Sequence, residues 1–540
     1  MASGSARDES AAAAAMRAAA ETAAIVLLFA AAGAWPTPDV NEAHFLTKAR
    51  HWMDPAWVRG DFFLESSDAH GVFYALCGPL AAAVSLESAA WIGRMLGWLA
   101  VALGFRHAVV PLVSTSWGRV VAAAAFSLGL RFTTAAGEWV IGGCEAKVFA
   151  WALVLAGVGE AAGGRFARAW CACGAAAAIH PVVGGWALVA VAVAWAVERR
   201  GRGAADRHRG GGPSSTGWLV AGAVLAACGV APALGMNAGI DAATRAAADE
   251  IYVVERLPHH LLPRSFVAGL AARHLLAVAT WWLLHGLLPA TAARRRLAAL
   301  VGAALAVSLA GWLVSLAEPL APAATHAVLR FYWFRLADVL VPFALACAAA
   351  AVLEVDCVCR AAWRVPPGIA RAAAVALLGL DLATESAHWP LPGRAVPPRA
   401  DAKVDAAAWA DACDWVRDHV PADACFLTPR GAASFTWRTG RREVVSWKNM
   451  PQDARSLVEW RRRIVECFSR DGGVAAMEST TAALGIDRLR EVADRYGADH
   501  AIVPRAAAEG LPFPRLHENA AYAVIRLAPV TAGGRPGDRP

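Results

Sequence analysis

The chain reads as an α-helical polytopic membrane protein with a small α/β domain near its C-terminal end. Of its 540 residues, 57% are hydrophobic and 18% charged, and mean hydropathy is +0.42; repeated apolar spans produce such values and a single soluble core does not. The 23 tryptophans outnumber the 5 tyrosines, and Trp35, Trp91, Trp170 and Trp218 stand at the ends of apolar runs, where an amphipathic ring favours the membrane interface. Beyond Asp401 the long apolar runs stop and short mixed segments replace them.

The net charge of +7 does not mark a nucleic-acid binder, because the arginines fall in short loops between apolar spans, the pattern of cytoplasmic loops. The eleven cysteines show no zinc spacing. Cys171 with Cys173, and Cys357 with Cys359, lie in or beside apolar segments and read as core or free thiols.

A tail over residues 1–17 precedes the membrane domain, 18–385. The first span, Ala18 to Trp35, follows Arg7 and Arg17 and reads as a retained helix rather than a cleaved leader. Further spans are Gly71 to Leu86, Trp91 to Leu112, Arg119 to Thr133, Ala146 to Val158, Trp170 to Trp195, Gly217 to Leu234, His274 to Pro289, Leu297 to Leu316, Tyr332 to Leu353 and Ile369 to Ala383. Residues His180, Pro181, Gly184 and Gly185 interrupt the long Trp170 segment and divide it into two short helices, so the expected number is about 11 to 13. Arg199, Arg200, Arg202, Arg207 and Arg209, then Arg294, Arg295 and Arg296, then Arg360 and Arg364, are expected to face the cytoplasm. The loop 36–70, the stretches Asn237 to Ser265 and Glu318 to Phe331, and everything after Glu385 then lie outside a cytoplasmic membrane of the cell envelope. The division at Trp170 also makes Arg165 and Arg168 cytoplasmic and the loop Gly137 to Lys147 external, provided the Trp91 to Thr133 region crosses an odd number of times.

Over 400–530 the pattern predicts an extracytoplasmic α/β domain. Helices are expected over Ala408 to Val420, Asp453 to Phe468, with Leu457, Trp460, Ile464 and Phe468 on one face, and Ile486 to Tyr496, stopped by Gly497. Apolar runs at Cys425 to Leu427, His500 to Val503 and Tyr522 to Leu527 read as strands, and Thr439-Gly440 as the turn of a hairpin joining Ser434 to Arg438 with Arg441 to Trp447. The Gly- and Pro-rich tail 531–540 reads as disordered.

Four polar clusters carry the candidate chemistry. The first loop concentrates Asp39, Glu42, His44, Asp61, Glu65, Asp68 and His70 at a bilayer surface, where charge is costly without a compensating partner. Glu42 suits a general base, and His44, Asp68 and His70 are candidates to share its site or to bind a divalent cation, although no spacing there is diagnostic of a metal. In GEWVIGGCEAK, Glu138, Glu145 and Lys147 stand at the edge of an apolar span, and Glu145 with Lys147 either serve a site or pair with each other. In YVVERLPHHLLPRSF, Arg256, His259, His260 and Arg264 suit a lipid phosphate, the alternative being headgroup anchoring by a surface helix. In FYWFRLADVLVPFA, Arg335 and Asp338 stand at i and i+3 on one face, which suits either mutual pairing or a second phosphate contact from Arg335.

The N-terminal helix, the acidic loop opening NEAHFLTKA, the polar group FFLESSDAHGVFY before the second span, the many short helices and the external C-terminal domain together resemble the GT-C membrane glycosyltransferases. That resemblance implies a polyprenyl-phosphate-linked sugar donor and gives the loop acid, carried over onto Glu42 with Asp39 second, the role of catalytic base or metal neighbour. The acidic pair usual there is interrupted, since Asn41 precedes Glu42. The stretches GEWVIGGCEAK, HPVVGGW, FYWFRLAD and WVRDHVPADACFLTP also look like a family of bacterial multi-helix proteins, a resemblance that brings no substrate with it. The expected function is transfer of a sugar from a polyprenyl-phosphate donor to an extracytoplasmic acceptor hydroxyl, with Arg256, His259, His260, Arg264, Arg335, Glu145 and Lys147 around the donor, no certain cofactor, and a divalent cation as a candidate. Two other readings stand beside it: a transporter whose pathway is lined by Arg335, Asp338, His180 and Glu145, and a non-catalytic scaffold of the same fold.

Overall fold

Residues 2–201, 213–354 and 366–527 are described by the structure, a computed structural model. Arg202, Arg207, Arg209, Cys357, Cys359, Arg360, Arg364 and the tail from Thr531 lie outside the described residues. The chain divides into two compact units: Met1–Trp35, Asp68–Leu76 and Ser88–Val396 form the first, and Pro36–Ser67, Cys77–Glu87 and Pro397–Pro540 the second. The first loop, placed in the membrane domain from sequence, therefore belongs up to Ser67 with the C-terminal unit.

The first unit is helical, and the chain is a largely helical polytopic membrane protein. Six helices among the described residues are long and apolar enough to cross a bilayer: Ala12–Gly33, Leu86–Val109, Pro181–Arg200, Ser215–Gly235, Ala292–Ser315 and Arg335–Leu353. Others packed among them are Ser116–Phe132, Ala146–Ala162, Phe166–Ile179, Ala268–Leu287 and Pro367–Ser386. The expected break in the Trp170 segment occurs at His180, between Phe166–Ile179 and Pro181–Gly201. Pro181 has no N–H and forces its predecessor out of helical geometry, and His180 is extended at φ −140°, ψ 97°. Small residues let helices meet backbone to backbone: a Cβ on Gly174 would collide with the carbonyl of Gly222 on Pro213–Gly235.

Polar contacts sort the helix ends of this unit into two groups. At one end Glu354 accepts from Ser114 N (3.1 Å) and Thr115 N (2.7 Å), Arg294 Nη2 donates to the Leu112 carbonyl (3.3 Å), and Arg296 donates to Glu198 (2.9 Å) and the Ala162 carbonyl (3.1 Å). Arg165, Arg199 and Arg200 belong to this end. At the other, Trp98 Nε1 donates to the Gly142 carbonyl (3.0 Å) and Trp186 Nε1 to that of Phe331 (2.6 Å), while Arg94 donates to the carbonyl of Trp35. Leu86–Val109 therefore starts at this second end, and so does Gly71–Ala83, whose preceding His70 ring lies 4.8 Å from that of His180. The expected span Gly71 to Leu86 is thereby corrected: its helix, Gly71–Ala83, starts at the same end as the Leu86–Val109 helix that follows it and does not cross the unit.

The second unit is built on a five-stranded sheet: β1 Cys425–Leu427, β2 Arg442–Glu443, β3 His500–Pro504, β4 Arg515–Glu518 and β5 Tyr522–Arg526. The order is β2-β1-β3-β5-β4, with β1 parallel to β2 and β3, and β5 antiparallel to β3 and β4. Trp409, Val416, Phe426, Phe435, Ile502 and Val524 fill one core between the sheet and the helix Ala406–His419. Asp405 and Asp453 cap the helices Ala406–His419 and Ala454–Phe468 through Ala408 N (3.1 Å) and Ser456 N (2.9 Å). The hairpin expected at Thr439-Gly440 is absent: Phe435–Thr439 is helical, Gly440 closes it at φ 63°, and β2 pairs with β1 in parallel. The first loop contributes a helix, Glu42–Met53, and a single turn, Phe62–Glu65, capped by Asp61.

Candidate functional site

The second end of the first unit gathers charge that the sequence scattered over four motifs. Arg335 opens the helix Arg335–Leu353, and its Nε lies 2.6 Å from Glu138 Oε2. Lys147, in the first turn of Ala146–Ala162, places Nζ 3.7 Å from Glu138 Oε1, and Trp151 Nε1 donates to the same oxygen at 3.1 Å. Only 4% of the Glu138 side chain and 6% of the Lys147 side chain are exposed, so each charge depends on its partners rather than on water. Aromatic rings support the cations: the Arg335 guanidinium lies 3.8 Å from the Tyr332 ring centroid and Lys147 Nζ 2.9 Å from that of Trp139. Glu145 accepts from Trp139 Nε1 at 2.8 Å.

The i, i+3 pairing considered for Arg335 and Asp338 is replaced by two separate engagements. Arg335 takes Glu138, while Asp338 accepts from the backbone N–H groups of Ala135 (2.7 Å), Ala136 (2.9 Å) and Glu138 (3.3 Å). His274 Nδ1 donates to the Thr133 carbonyl at 2.8 Å.

Beside this group stands a carboxylate–imidazole pair. Asp68 Oδ1 is 2.6 Å from His70 Nδ1 and also accepts from the His70 backbone N–H at 3.0 Å. The short contact to a carboxylate fixes the proton on Nδ1 and makes Nε2 the basic nitrogen. His180 lies edge-on to His70, within the electrostatic reach of Arg335 and Lys147.

The cluster expected over Arg256 to Arg264 is divided: Arg256, His259 and His260 stay near Tyr332, and Arg264 turns to Glu318. His260 turns to the carbonyl of Ala136, and burial, with His259 adding to it, lowers its pKa to about 3; it is a neutral donor, not a cation. His259 is exposed, with its ring 4.1 Å from that of His260. Arg264 pairs with Glu318, which also meets His326 Nε2 at 3.1 Å. Arg256 is half-buried and feels Tyr332 and Tyr252, whose hydroxyls are 3.0 Å apart.

Asp39, Glu42 and His44 belong to the second unit. Glu42 is fully buried, and its Oε2 accepts from the Asp39 backbone N–H at 2.7 Å, in the chain just ahead of its own helix. Asp39 accepts from Val40 N (2.7 Å) and pairs with Arg399 (3.3 Å), and the His44 ring packs 4.6 Å from Phe63. A further acidic pair of this unit escaped the sequence reading as a pair. Asp61 Oδ2 accepts from the Glu443 backbone N–H at 3.1 Å, and burial raises both carboxyls, Glu443 to about 7 with Asp61 adding to the effect. Among the described residues no three of His, Cys, Asp and Glu come together in a way that could hold a metal ion.

Comparison with known proteins adds three findings. A domain of unknown function, DUF6798, matches residues 407–467, from the helix Ala406–His419 to the end of Ala454–Phe468. No curated protein matches the chain. The structure is similar to arabinofuranosyltransferase AftD from Mycobacteria, with a TM-score of 0.45 and 16% identity over 95% of this chain and 41% of that one, so the chain spans less than half of AftD. It is also similar to ArnT from Cupriavidus metallidurans, solved bound to undecaprenyl phosphate, with a TM-score of 0.37 and 13% identity over 97% of this chain and 99% of that one.

Proposed function

We propose that the chain is an integral membrane glycosyltransferase that moves a sugar from a polyprenyl-phosphate donor to an acceptor hydroxyl outside the cytoplasm. The observation that carries this reading is the buried pair of cations, Arg335 and Lys147, brought to one carboxylate, Glu138, at the end of the unit opposite its arginine-rich loops. Two cations at that depth suit the phosphate of a donor arriving through lipid. The helices Ala2–Gly33, Leu86–Val109, Ser116–Phe132, Ala146–Ala162, Phe166–Ile179, Pro181–Gly201, Pro213–Gly235, Ala268–Leu287, Ala292–Ser315, Arg335–Leu353 and Pro367–Ser386 each run between the two ends in this reading. The basic end then faces the cytoplasm and the C-terminal unit lies outside.

In the reaction, His70 Nε2 takes the proton of the acceptor hydroxyl while Asp68 stabilises the imidazolium. The acceptor oxygen attacks the anomeric carbon as the bond from that carbon to the phosphate oxygen breaks. The electron pair leaves with polyprenyl phosphate, whose charge Arg335 and Lys147 stabilise, and a single displacement inverts the anomeric centre. Asp68 and His70 thus take the base role first expected of Glu42, whose own contribution the same assay reads.

The test is turnover by the protein in lipid nanodiscs of a panel of polyprenyl-phosphate sugars, with and without chelator, for wild type, Arg335→Ala, His70→Gln and Glu42→Gln. The reading expects transfer or sugar release that falls at least a hundredfold in Arg335→Ala and His70→Gln. Full activity in His70→Gln with loss in Glu42→Gln would return the base to the first loop. No turnover and no donor binding across the panel would favour transport or a non-catalytic scaffold.

A further inference from the structure

The loop between Ser116–Phe132 and Ala146–Ala162 carries Glu138, yet a loop is a poor platform for a charge that must sit between two buried cations. Its backbone is held by side chains from three other elements. Asp338, in the first turn of Arg335–Leu353, grips the N–H groups of Ala135, Ala136 and Glu138. His274, on Ala268–Leu287, holds the carbonyl of Thr133, and His260, on Pro258–Leu261, that of Ala136. Between these points the chain turns at Gly137, with φ at +74° and room for little else, since a Cβ there would lie 3.3 Å from His260 Cε1. Buried backbone donors rarely stay unpaired, and a carboxylate is the one side chain that offers acceptor sites to three N–H groups at once.

We propose that Asp338 is a positioning residue for the donor site, fixing the backbone of 135–138 so that Glu138 sets the side chains of Arg335 and Lys147. It touches neither cation through a bond described above; it acts through the loop. One helical turn therefore supplies both a donor-binding guanidinium and, three residues on, the clamp for the loop that orients it. The proposal rests on the donor-binding reading of Arg335 and Lys147 for its kinetic consequence, but the clamp itself is observable without any turnover.

Asp338→Asn keeps the shape and replaces one acceptor oxygen with an NH₂ group that faces a backbone N–H instead of accepting from it. Gly137→Ala disturbs the same loop from the His260 side and serves if Asp338→Asn does not fold. Two measurements on the full chain in nanodiscs test the idea. Hydrogen exchange at 135–138 is expected to rise at least tenfold in either variant while the interior of Arg335–Leu353 stays protected. The indole N–H resonance of Trp151, which donates to Glu138, is expected to shift in Asp338→Asn toward its position in Glu138→Gln.

If a donor is turned over, Asp338→Asn is expected to raise KM at least tenfold with a smaller change in kcat. Adding Glu138→Gln should then cost little more, because both changes break one chain of action. Unchanged exchange and an unmoved Trp151 signal would overturn the proposal, as would kinetic effects that multiply. A silent donor panel with the expected exchange and Trp151 shift would instead refute the glycosyltransferase reading and leave the clamp standing.

Discussion

Glu443 offers a stability test whose sign is fixed before the experiment. It is buried on β2, accepts from Asn449 Nδ2 (3.0 Å) and Thr428 Oγ1 (3.2 Å), and has its pKa raised from the ordinary 4.5 to about 7, by burial first and by Asp61 second. Below the ordinary value the carboxyl is protonated in both folded and unfolded chains, and pH does not discriminate between them. Between the two values the unfolded chain releases a proton that the folded chain keeps, so stability falls as pH rises, and the loss is complete above about 7. The full gap corresponds to about 3 to 4 kcal/mol, or a change of roughly 300-fold in the population of opened molecules. Glu443→Gln removes the titration and keeps both partners, since its carbonyl accepts from Asn449 and its NH₂ donates to Thr428 Oγ1. The assay is pulsed alkylation of the full chain in nanodiscs, read by mass spectrometry at the buried thiols Cys413, Cys425 and Cys467. The ratio of wild-type to Glu443→Gln labelling at each pH cancels the intrinsic reactivity of the thiols. It is expected to rise by up to about 100-fold between pH 5 and pH 8.5. A flat ratio, or a variant that labels faster than wild type at pH 8.5, would refute the reasoning.

Two further outcomes follow from packing and charge. Arg335→Ala strips Glu138 of its 2.6 Å partner and leaves it buried with Lys147 at 3.7 Å. A loss of about 3–5 kcal/mol is expected from this, much of it recovered in the double variant Arg335→Ala/Glu138→Gln, with thermal unfolding in nanodiscs as the measurement. Gly174→Val drives a side chain into the backbone of Gly222 and is expected to cost about 1–3 kcal/mol by the same measurement, whereas Gly185→Val, where a Cβ meets nothing within 4 Å, should lower the unfolding temperature far less.

The legible parts of the fold were those whose signal is local and chemical. Pro181 announced the break at His180, Asp453 the start of Ala454–Phe468, and Gly497, at φ 64°, the end of Ile486–Tyr496. The misread parts share one cause, a local signal compatible with two global arrangements. Thr439-Gly440 marks a reversal equally well as a hairpin turn or as a left-handed helix cap, and only the parallel pairing of β2 with β1 decides between them. Hydropathy counted the apolar content of Gly71–Ala83 but not where its neighbours begin, so a helix that does not traverse the unit looked like one that does. The helix Glu42–Met53 was hidden by its polar composition, and with it the local task of Glu42 at the helix start.

The site was legible as a set of residues and illegible as a set of bonds. Glu138, Lys147, Arg335 and Asp338 all stood in motifs where charge meets an apolar span, but helical spacing proposes partners on the same helix, and Arg335 finds its carboxylate on another element. The structure also separates two kinds of buried acid that a sequence writes alike. Asp338 and Glu354 accept from backbone N–H groups of a neighbouring loop, at 2.7–3.3 Å for Asp338 and 2.7–3.1 Å for Glu354. No ligand can replace such a carboxylate without undoing the loop, so these acids hold the frame. Glu138 binds side-chain cations instead, and an arriving phosphate offers those cations the same kind of oxygen. A carboxylate held by backbone fixes a shape, while one held by arginine and lysine marks the place where another anion can compete. On that distinction, and on the glycosyltransferase reading proposed above, Glu138 marks the place where the donor phosphate would compete.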